Sequence, residues 1–276
     1  MQMKLFFTID FVFIHYLAPQ KYFMEFAVCV VPAAPVRKRS SHKAEMVNQL
    51  LYGESMVILK AKHNWLKIQS MHDNYEGWLR NNLVTHIQGN LLDYSMVAGD
   101  LINTITVGET NMHLSMGSTL PGFSHGAGRI GELYYQFNGF SFNRNEIKPS
   151  GEMIRQLTMP WLNAPYLWGG RTPLGVDCSG FVQVIFKIMG LDLLRDAKLQ
   201  AGQGMRVKSL KQAQCGDLAF FKNKKGRITH VGILLSPSQI IHASGKVRID
   251  AIDEKGITNR DTGTRTHSLA VIRSYW

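Results

Sequence analysis

Residues 166–187 read YLWGGRTPLGVDCSGFVQVIFK, and the fold and the chemistry both turn on this stretch. Gly169-Gly170 and then Thr172-Pro173-Leu174-Gly175 punctuate its first half as loop. Behind Val176-Asp177-Cys178-Ser179-Gly180 the chain becomes apolar on all sides, through Phe181, Val182, Val184, Ile185, Phe186, Ile188 and Met189. That breadth predicts a buried helix, with Asp177 as its N-cap and Gly190 as its stop. Cys178 then falls in the first turn, where unpaired N–H groups and the positive end of the helix dipole favour a thiolate. A lowered thiol pKa and a nucleophilic sulfur at neutral pH are therefore expected. The bland alternative is a cysteine packed as a small hydrophobe. The glycine loop ahead of Cys178 and the polar Asp177 and Ser179 beside it argue for the nucleophile.

A sulfur nucleophile needs a base and a group that orients the base. Downstream, Gly216 to Phe221 reads as a turn into a strand, and Lys222 to Arg227 as a polar hairpin loop. Ile228 to Leu235 is the returning strand, Pro237-Ser238 the next turn, and Gln239 to Ser244 a third strand. His230 and His242 thus fall on neighbouring antiparallel strands, where their side chains can meet on one face. One serves as base towards Cys178 and the other fixes its tautomer. The pairing is read without a buried carboxylate.

The order LWGGRTPLGVDCSGF, CGDLAFF, ITHVGI, IIHASG resembles the NlpC/P60 family of papain-like cysteine peptidases, which act on bacterial cell-wall peptides. The resemblance covers roughly residues 150–276. It implies Cys178 as nucleophile, His230 as base, His242 as third polar residue and Tyr166 near the oxyanion site. Cys215 departs from the family, which commonly has proline before the Gly-Asp pair; a turn should change and not the chemistry. Arg195-Asp196 and Gln200 resemble a family segment beside the active site, although Asp196 reads equally well as a plain cap with Arg195 facing solvent.

Upstream, short strands with aromatic residues and glycine turns run from Ala27 to His86 and suggest a small barrel. QLLYGE, NWLKIQ and NYEGWLRNNLV resemble a bacterial SH3-like domain over residues 24–88. Residues 89–149 show further short strands and are read as a second, diverged barrel; His113 and His125 there lack partners at ligand spacing and are read as surface residues. The expected class is α+β, a papain-like catalytic domain over 150–276 preceded by two SH3-like barrels. Glu152 to Leu162 is expected as a short helix broken at Pro160. Residues 1–23 are an apolar but interrupted leader, too short and broken to span a membrane and a poor signal peptide. A start of translation at Met24 is the other reading.

The 276 residues carry 45% apolar and 18% charged side chains, an ordinary globular balance. Net charge is +11. With no helix-turn-helix and no basic-aromatic ladder, nucleic acid is the poorest candidate partner and acidic wall peptides or polymers are better ones. Arg37 to Arg39 reads as a solvated turn. Cys29, Cys178 and Cys215 are too few and scattered for a disulfide framework or a zinc site, so no metal or cofactor is expected.

Two barrels ahead of such a catalytic domain look like the family's γ-D-glutamyl-L-diamino-acid dipeptidyl-peptidases, in which the first barrel narrows the cleft to peptides with a free N-terminal L-alanine. By that resemblance Asp177 and Ser179, with Glu45 and Tyr75 from the barrel, meet the substrate's ammonium. An amidase or acyltransferase of the same superfamily and a non-catalytic wall-binding protein are the alternatives. Free-peptide specificity tilts the expected compartment to the cytoplasm, with the periplasm as the alternative.

Overall fold

The structure, a computed structural model, describes residues 25–87 and 94–276. The leader and the Met24 start lie outside the described residues. Three units follow one another along the chain, and strands far outnumber helices.

The first unit holds β1 (Glu25–Cys29), β2 (Ala33–Arg37), β3 (Met46–Leu51), β4 (Ser55–Lys62), β5 (Trp65–Ser70), β6 (Glu76–Arg80) and β7 (Val84–Ile87). They form one antiparallel sheet in the order β3-β2-β6-β5-β4-β1-β7. The strand β2 was not expected, because Pro35 interrupts it. β2 pairs along its whole length with β3 but with β6 only at Arg37, so Pro35 lies where one side of the strand is unpaired and a missing N–H is tolerated. Strand alternation decides where β1 buries its faces. Ala27 and Cys29 enter the core of this unit, while Val28 enters the core of the next one.

That middle unit comprises β8 (Met96–Ala98), β9 (Ile102–Val107), β10 (Thr110–Ser115), β11 (Ala127–Ile130), β12 (Leu133–Phe137) and β13 (Ser141–Asn143). The sheet order is β10-β9-β12-β11, with β8 and β13 paired separately. His113 and His125 lie on its surface, as expected.

The third unit opens with α1 (Gly151–Thr158), capped by Ser150, whose hydroxyl accepts from Met153 N; a 3-10 turn at Met159–Trp161 takes up Pro160. A ribbon of β14 (Arg171–Thr172) and β15 (Gly175–Val176) leads into α2 (Cys178–Ile188), and a single turn, α3 (Ala197–Gln200), follows. The main sheet is built from β16 (Met205–Val207), β17 (Leu218–Lys222), β18 (Ile228–Ser236), β19 (Gln239–Ser244), β20 (Lys246–Asp253), β21 (Gly256–Thr258) and β22 (Arg265–Ser274). Its order is β16-β22-β17-β18-β19-β20-β21, and β22 also pairs with β21. Every residue of α2 is buried, as its all-round apolar sequence requires, and the helix packs on β18 and β19. Gly190, at φ +77°, allows the turn that ends it.

The first unit is bolted to the third by buried charge. Glu54, in the turn before β4, receives Arg171 Nη1 at 2.7 Å and Nη2 at 2.9 Å, and Lys187 Nζ at 2.7 Å. Lys187 also donates to Thr119 Oγ1 of the middle unit at 2.9 Å. Burial alone would raise the Glu54 carboxyl, but Arg171 and Lys187 outweigh it and hold it well below the usual range. Gln183 of α2 reaches Asp73 Oδ2 at 2.9 Å across the same seam.

Candidate active site

Cys178 begins α2, and its surroundings are fixed by the residue before it. Asp177 Oδ1 accepts from Gly180 N at 2.7 Å, which caps the helix, and Oδ2 accepts from Gly169 N at 2.8 Å, which pins the glycine loop. Gly169 sits at φ +75°, and a Cβ there would stand 2.8 Å from Met46 O of the first unit. Only glycine satisfies both the backbone and the approach. Arg195 grips the same carboxylate bidentately, Nη1 to Oδ1 at 3.0 Å and Nη2 to Oδ2 at 2.5 Å. Its Nη1 also donates to Ser179 Oγ at 2.9 Å, and Nε to Asn48 Oδ1 at 2.7 Å. Arg195 is therefore buried and does not face solvent. Asp177 and Ser179 line the cleft with much of their hydrogen-bonding capacity already engaged.

The two histidines meet as their strands require. His230 Nε2 and His242 Nδ1 are 2.8 Å apart. Gly232 makes room for this, since a Cβ there would lie 2.8 Å from His242 Cβ. The relay continues: His242 Nε2 is 3.0 Å from Asp250 Oδ2 on β20. Asp250 is 2% exposed, so a buried carboxylate does stand behind the histidines, contrary to the expectation from sequence. Arg248 binds it through Nε and Nη2, both at 2.8 Å, and the Arg260 N–H at 2.9 Å. Burial would raise this carboxyl, but the hydrogen bonds from His242, Arg248 and Arg260 prevail and keep it ionised.

An ionised Asp250 sets the tautomers. It accepts from His242 Nε2–H, which leaves His242 Nδ1 as an acceptor for His230 Nε2–H. The lone pair of His230 then resides on Nδ1. The backbone of Val231, the residue after His230, acts on the Cys178 sulfur in favour of its thiolate, which puts the strand of the base against the start of α2. His267, on β22, stacks on His230 with ring centroids 4.1 Å apart.

Burial works against charge on both partners. Burial, reinforced by Asp177, pushes the Cys178 thiol up to about 12, against opposing pulls from the Val231 backbone and Arg195. The expected lowering fails because Cys178 is 7% exposed and desolvation outweighs the helix terminus. Burial likewise pushes His230 well below 6.5, with His242 and His267 adding to the effect. His267 is itself pulled down to about 4, chiefly by burial.

A cleft of about 580 Å³ opens over the sulfur. Tyr166, Asp177, Cys178, Ser179 and Asp196 line it from the third unit, and Glu45 and Tyr75 from the first. Every sequence-derived site residue except His230 and His242 reaches this cleft; those two lie buried behind it, with Ile228 and Thr229 of β18 at its wall. Burial lifts the Tyr166 phenol, with Cys178 and Asp177 adding, so it remains a hydrogen-bond donor. Asp196 is the N-cap residue of α3, yet its carboxylate makes no capping bond and remains exposed. Trp168, 60% exposed, donates Nε1–H to Glu45 Oε1 at 3.0 Å and joins the two units at the cleft. Lys38, exposed in the solvated turn after β2, also lines the cleft 3.5 Å from Glu45 Oε2.

Sequence reasoning missed Asp250, His267 and Trp168, and left Arg195 undecided. For Asp250 a signal existed: VRID alternates behind a strand carrying His242, two positions beyond the residue that pairs with it. Among the described residues no cluster of three or more His, Cys, Asp or Glu side chains is arranged to hold a metal ion, and no helix is long and apolar enough to cross a membrane.

A cysteine at a buried helix start beside a histidine relay on an antiparallel sheet is the constellation of a papain-like hydrolase. Comparison with known proteins agrees. The NlpC/P60 family profile matches residues 163–266, and that of the bacterial dipeptidyl-peptidase SH3 domain matches residues 36–82. The chain is 30% identical over 217 residues to the γ-D-glutamyl-L-lysine dipeptidyl-peptidase of Bacillus subtilis, covering 71% of each chain. It is 25% identical over 257 residues to dipeptidyl-peptidase 6 of Lysinibacillus sphaericus, covering 83% of this chain and 92% of that one. A crystal structure of an NlpC/P60 family protein from Bacillus cereus shares the fold at a TM-score of 0.77 and 20% identity, over 91% of this chain and 99% of that chain. This chain belongs to the NlpC/P60 family of peptidases and carries a bacterial SH3 domain ahead of the peptidase fold.

Proposed function

We propose that the protein is a cysteine peptidase that hydrolyses the γ-D-glutamyl–diamino acid bond of wall-derived peptides with a free N-terminal L-alanine. The observation that carries this reading is the shared cleft: Glu45 and Tyr75 of the SH3 unit line it together with Cys178 and Asp196. A wall contributed by the SH3 unit beside the nucleophile supports selection of a short peptide end over the middle of a polymer. The γ-D-glutamyl-L-lysine dipeptidyl-peptidase relative supports the same bond.

In the proposed reaction His230 Nδ1 takes the thiol proton as Cys178 Sγ attacks the scissile carbonyl. The oxyanion is received by the Cys178 N–H and the Tyr166 hydroxyl. His230 returns the proton to the departing amine, leaving a thioester. Water, deprotonated by His230, releases the dipeptide and restores the thiol. His242 and Asp250 hold the base in its tautomer and stabilise its charged form. Glu45 and Asp196 receive the substrate ammonium, and Tyr75 adds a polar contact. We further read the middle unit as a second, diverged SH3-like barrel, supported by its antiparallel strands around one apolar core. We place the activity in cytoplasmic recycling of wall peptides, which specificity for free peptides favours.

The test is mass spectrometry of products from L-Ala-γ-D-Glu-diaminopimelate-D-Ala with wild type and Cys178→Ala. Release of L-Ala-D-Glu by wild type alone is expected. Cleavage of intact wall but not of this peptide would overturn the dipeptidyl reading. Transfer of the acyl group to an added amine in place of water would favour an acyltransferase.

A further inference from the structure

The charges around the cleft are almost all paired. Arg195 is engaged by Asp177, Lys38 by Glu45, and Glu76 by Lys67 at 2.7 Å. Among the described residues that line the cleft, two charged side chains have neither an ion pair nor a side-chain hydrogen bond: Asp196 and Lys198. They stand two positions apart, at the cap of α3 and within it, and both are exposed. An unpaired ammonium in a substrate cleft is a receptor for an anion, and its sign is opposite to that of its neighbour.

A γ-linked D-glutamyl peptide supplies that anion. The bond to be cut uses the side-chain carboxyl, so the α-carboxylate stays free and ionised. It lies one residue from the N-terminal ammonium, and the substrate end is a zwitterion. The Asp196–Lys198 wall offers the complementary pair of signs. Arg195 cannot take the carboxylate, because its guanidinium is spent on Asp177, Ser179 and Asn48.

We propose that Lys198 binds the free α-carboxylate of the γ-D-glutamyl residue, so that the enzyme selects the carboxylate form of its substrate over the α-carboxamide form. This rests on the γ-D-glutamyl reading above. A charge-assisted contact of this kind is worth about tenfold in selectivity.

The test compares kcat/KM for L-Ala-γ-D-Glu-L-Lys with that for its α-carboxamide counterpart, L-Ala-γ-D-isoGln-L-Lys, in wild type, Lys198→Met, Lys198→Arg and Lys148→Met. Wild type should prefer the carboxylate about tenfold. Lys198→Met should bring the ratio near one, and Lys198→Arg should restore much of it. Lys148→Met, which removes the same charge from an exposed site outside the cleft lining, should keep the wild-type ratio. Equal rates on both peptides in wild type, or an undiminished preference in Lys198→Met, would overturn the role of Lys198 and leave the γ-glutamyl reading intact. Cleavage of neither peptide by wild type would overturn both.

Discussion

Asp250 lies 3.0 Å from His242 Nε2 and, through that ring, governs the protonation of His230 without touching it. The carboxylate accepts one hydrogen bond from His242 and thereby fixes two tautomers in series. An amide at the same place also offers an N–H, which lets His242 turn its lone pair outward and reverses the order. Asp250→Asn should lower kcat by about 10² while KM changes little. Steady-state kinetics beside a thermal melt separates this from unfolding; a rate loss no larger than about twofold with a normal melt would show that the carboxylate does not set the base.

The acid limb of kcat/KM should fall below pH 6.5. His230 is pushed down by burial, with His242 and His267 adding, so its neutral form persists below its ordinary value and is lost only as pH falls through the lowered one. His267→Ala opens the stacked face to water and should move the limb upward. A pH–rate profile of wild type and variant measures both positions. An unmoved limb would assign it to another group.

The Cys178 thiol, held at about 12, should alkylate slowly at neutral pH in the free enzyme. Iodoacetamide labelling of the Cys178 peptide, followed by mass spectrometry, should rise with pH and reach no plateau by about pH 9, where a denatured thiol is already mostly ionised. A plateau near pH 5 would mean a preformed thiolate–imidazolium pair.

Glu54→Gln removes the counter-charge of two buried cations. Loss of one partner from such a cluster costs roughly 3–5 kcal/mol, readable as a shift of the urea unfolding midpoint. The pH dependence follows from the sign of the shift. The Glu54 carboxyl is held below its ordinary 4.5, so its stabilisation is present above that value and disappears as pH falls through the lowered one. Wild type should therefore lose more stability than Glu54→Gln as pH is lowered from 5 to 3.

What could be read from sequence was whatever depends on neighbours in the chain. The cap at Asp177, the buried helix behind Cys178 and the facing strands of His230 and His242 follow from local pattern, and all are found. Glu45 and Tyr75 came by resemblance alone, and they do reach the cleft. The thiol's acidity was misread because a helix start is visible in sequence and the depth of burial is not. Arg195 was undecided for a related reason: its partners Asp177 and Asn48 lie 18 and 147 residues away. Asp250 was passed over because a lone aspartate in a strand gives no hint of which ring it will face.

The grip of Glu54 on Arg171 and Lys187 bears on how such a chain can be recombined. One cation belongs to the ribbon before the nucleophile and the other to the nucleophile helix, yet their shared anion is donated by the SH3 unit. A gene fragment encoding the peptidase half alone would leave both cations without their counter-charge on a face that the SH3 unit otherwise covers. Any foreign module spliced in front of it would have to present an acid at the same turn. Separating the two units would take the counter-charge from two cations at once, through a single carboxylate.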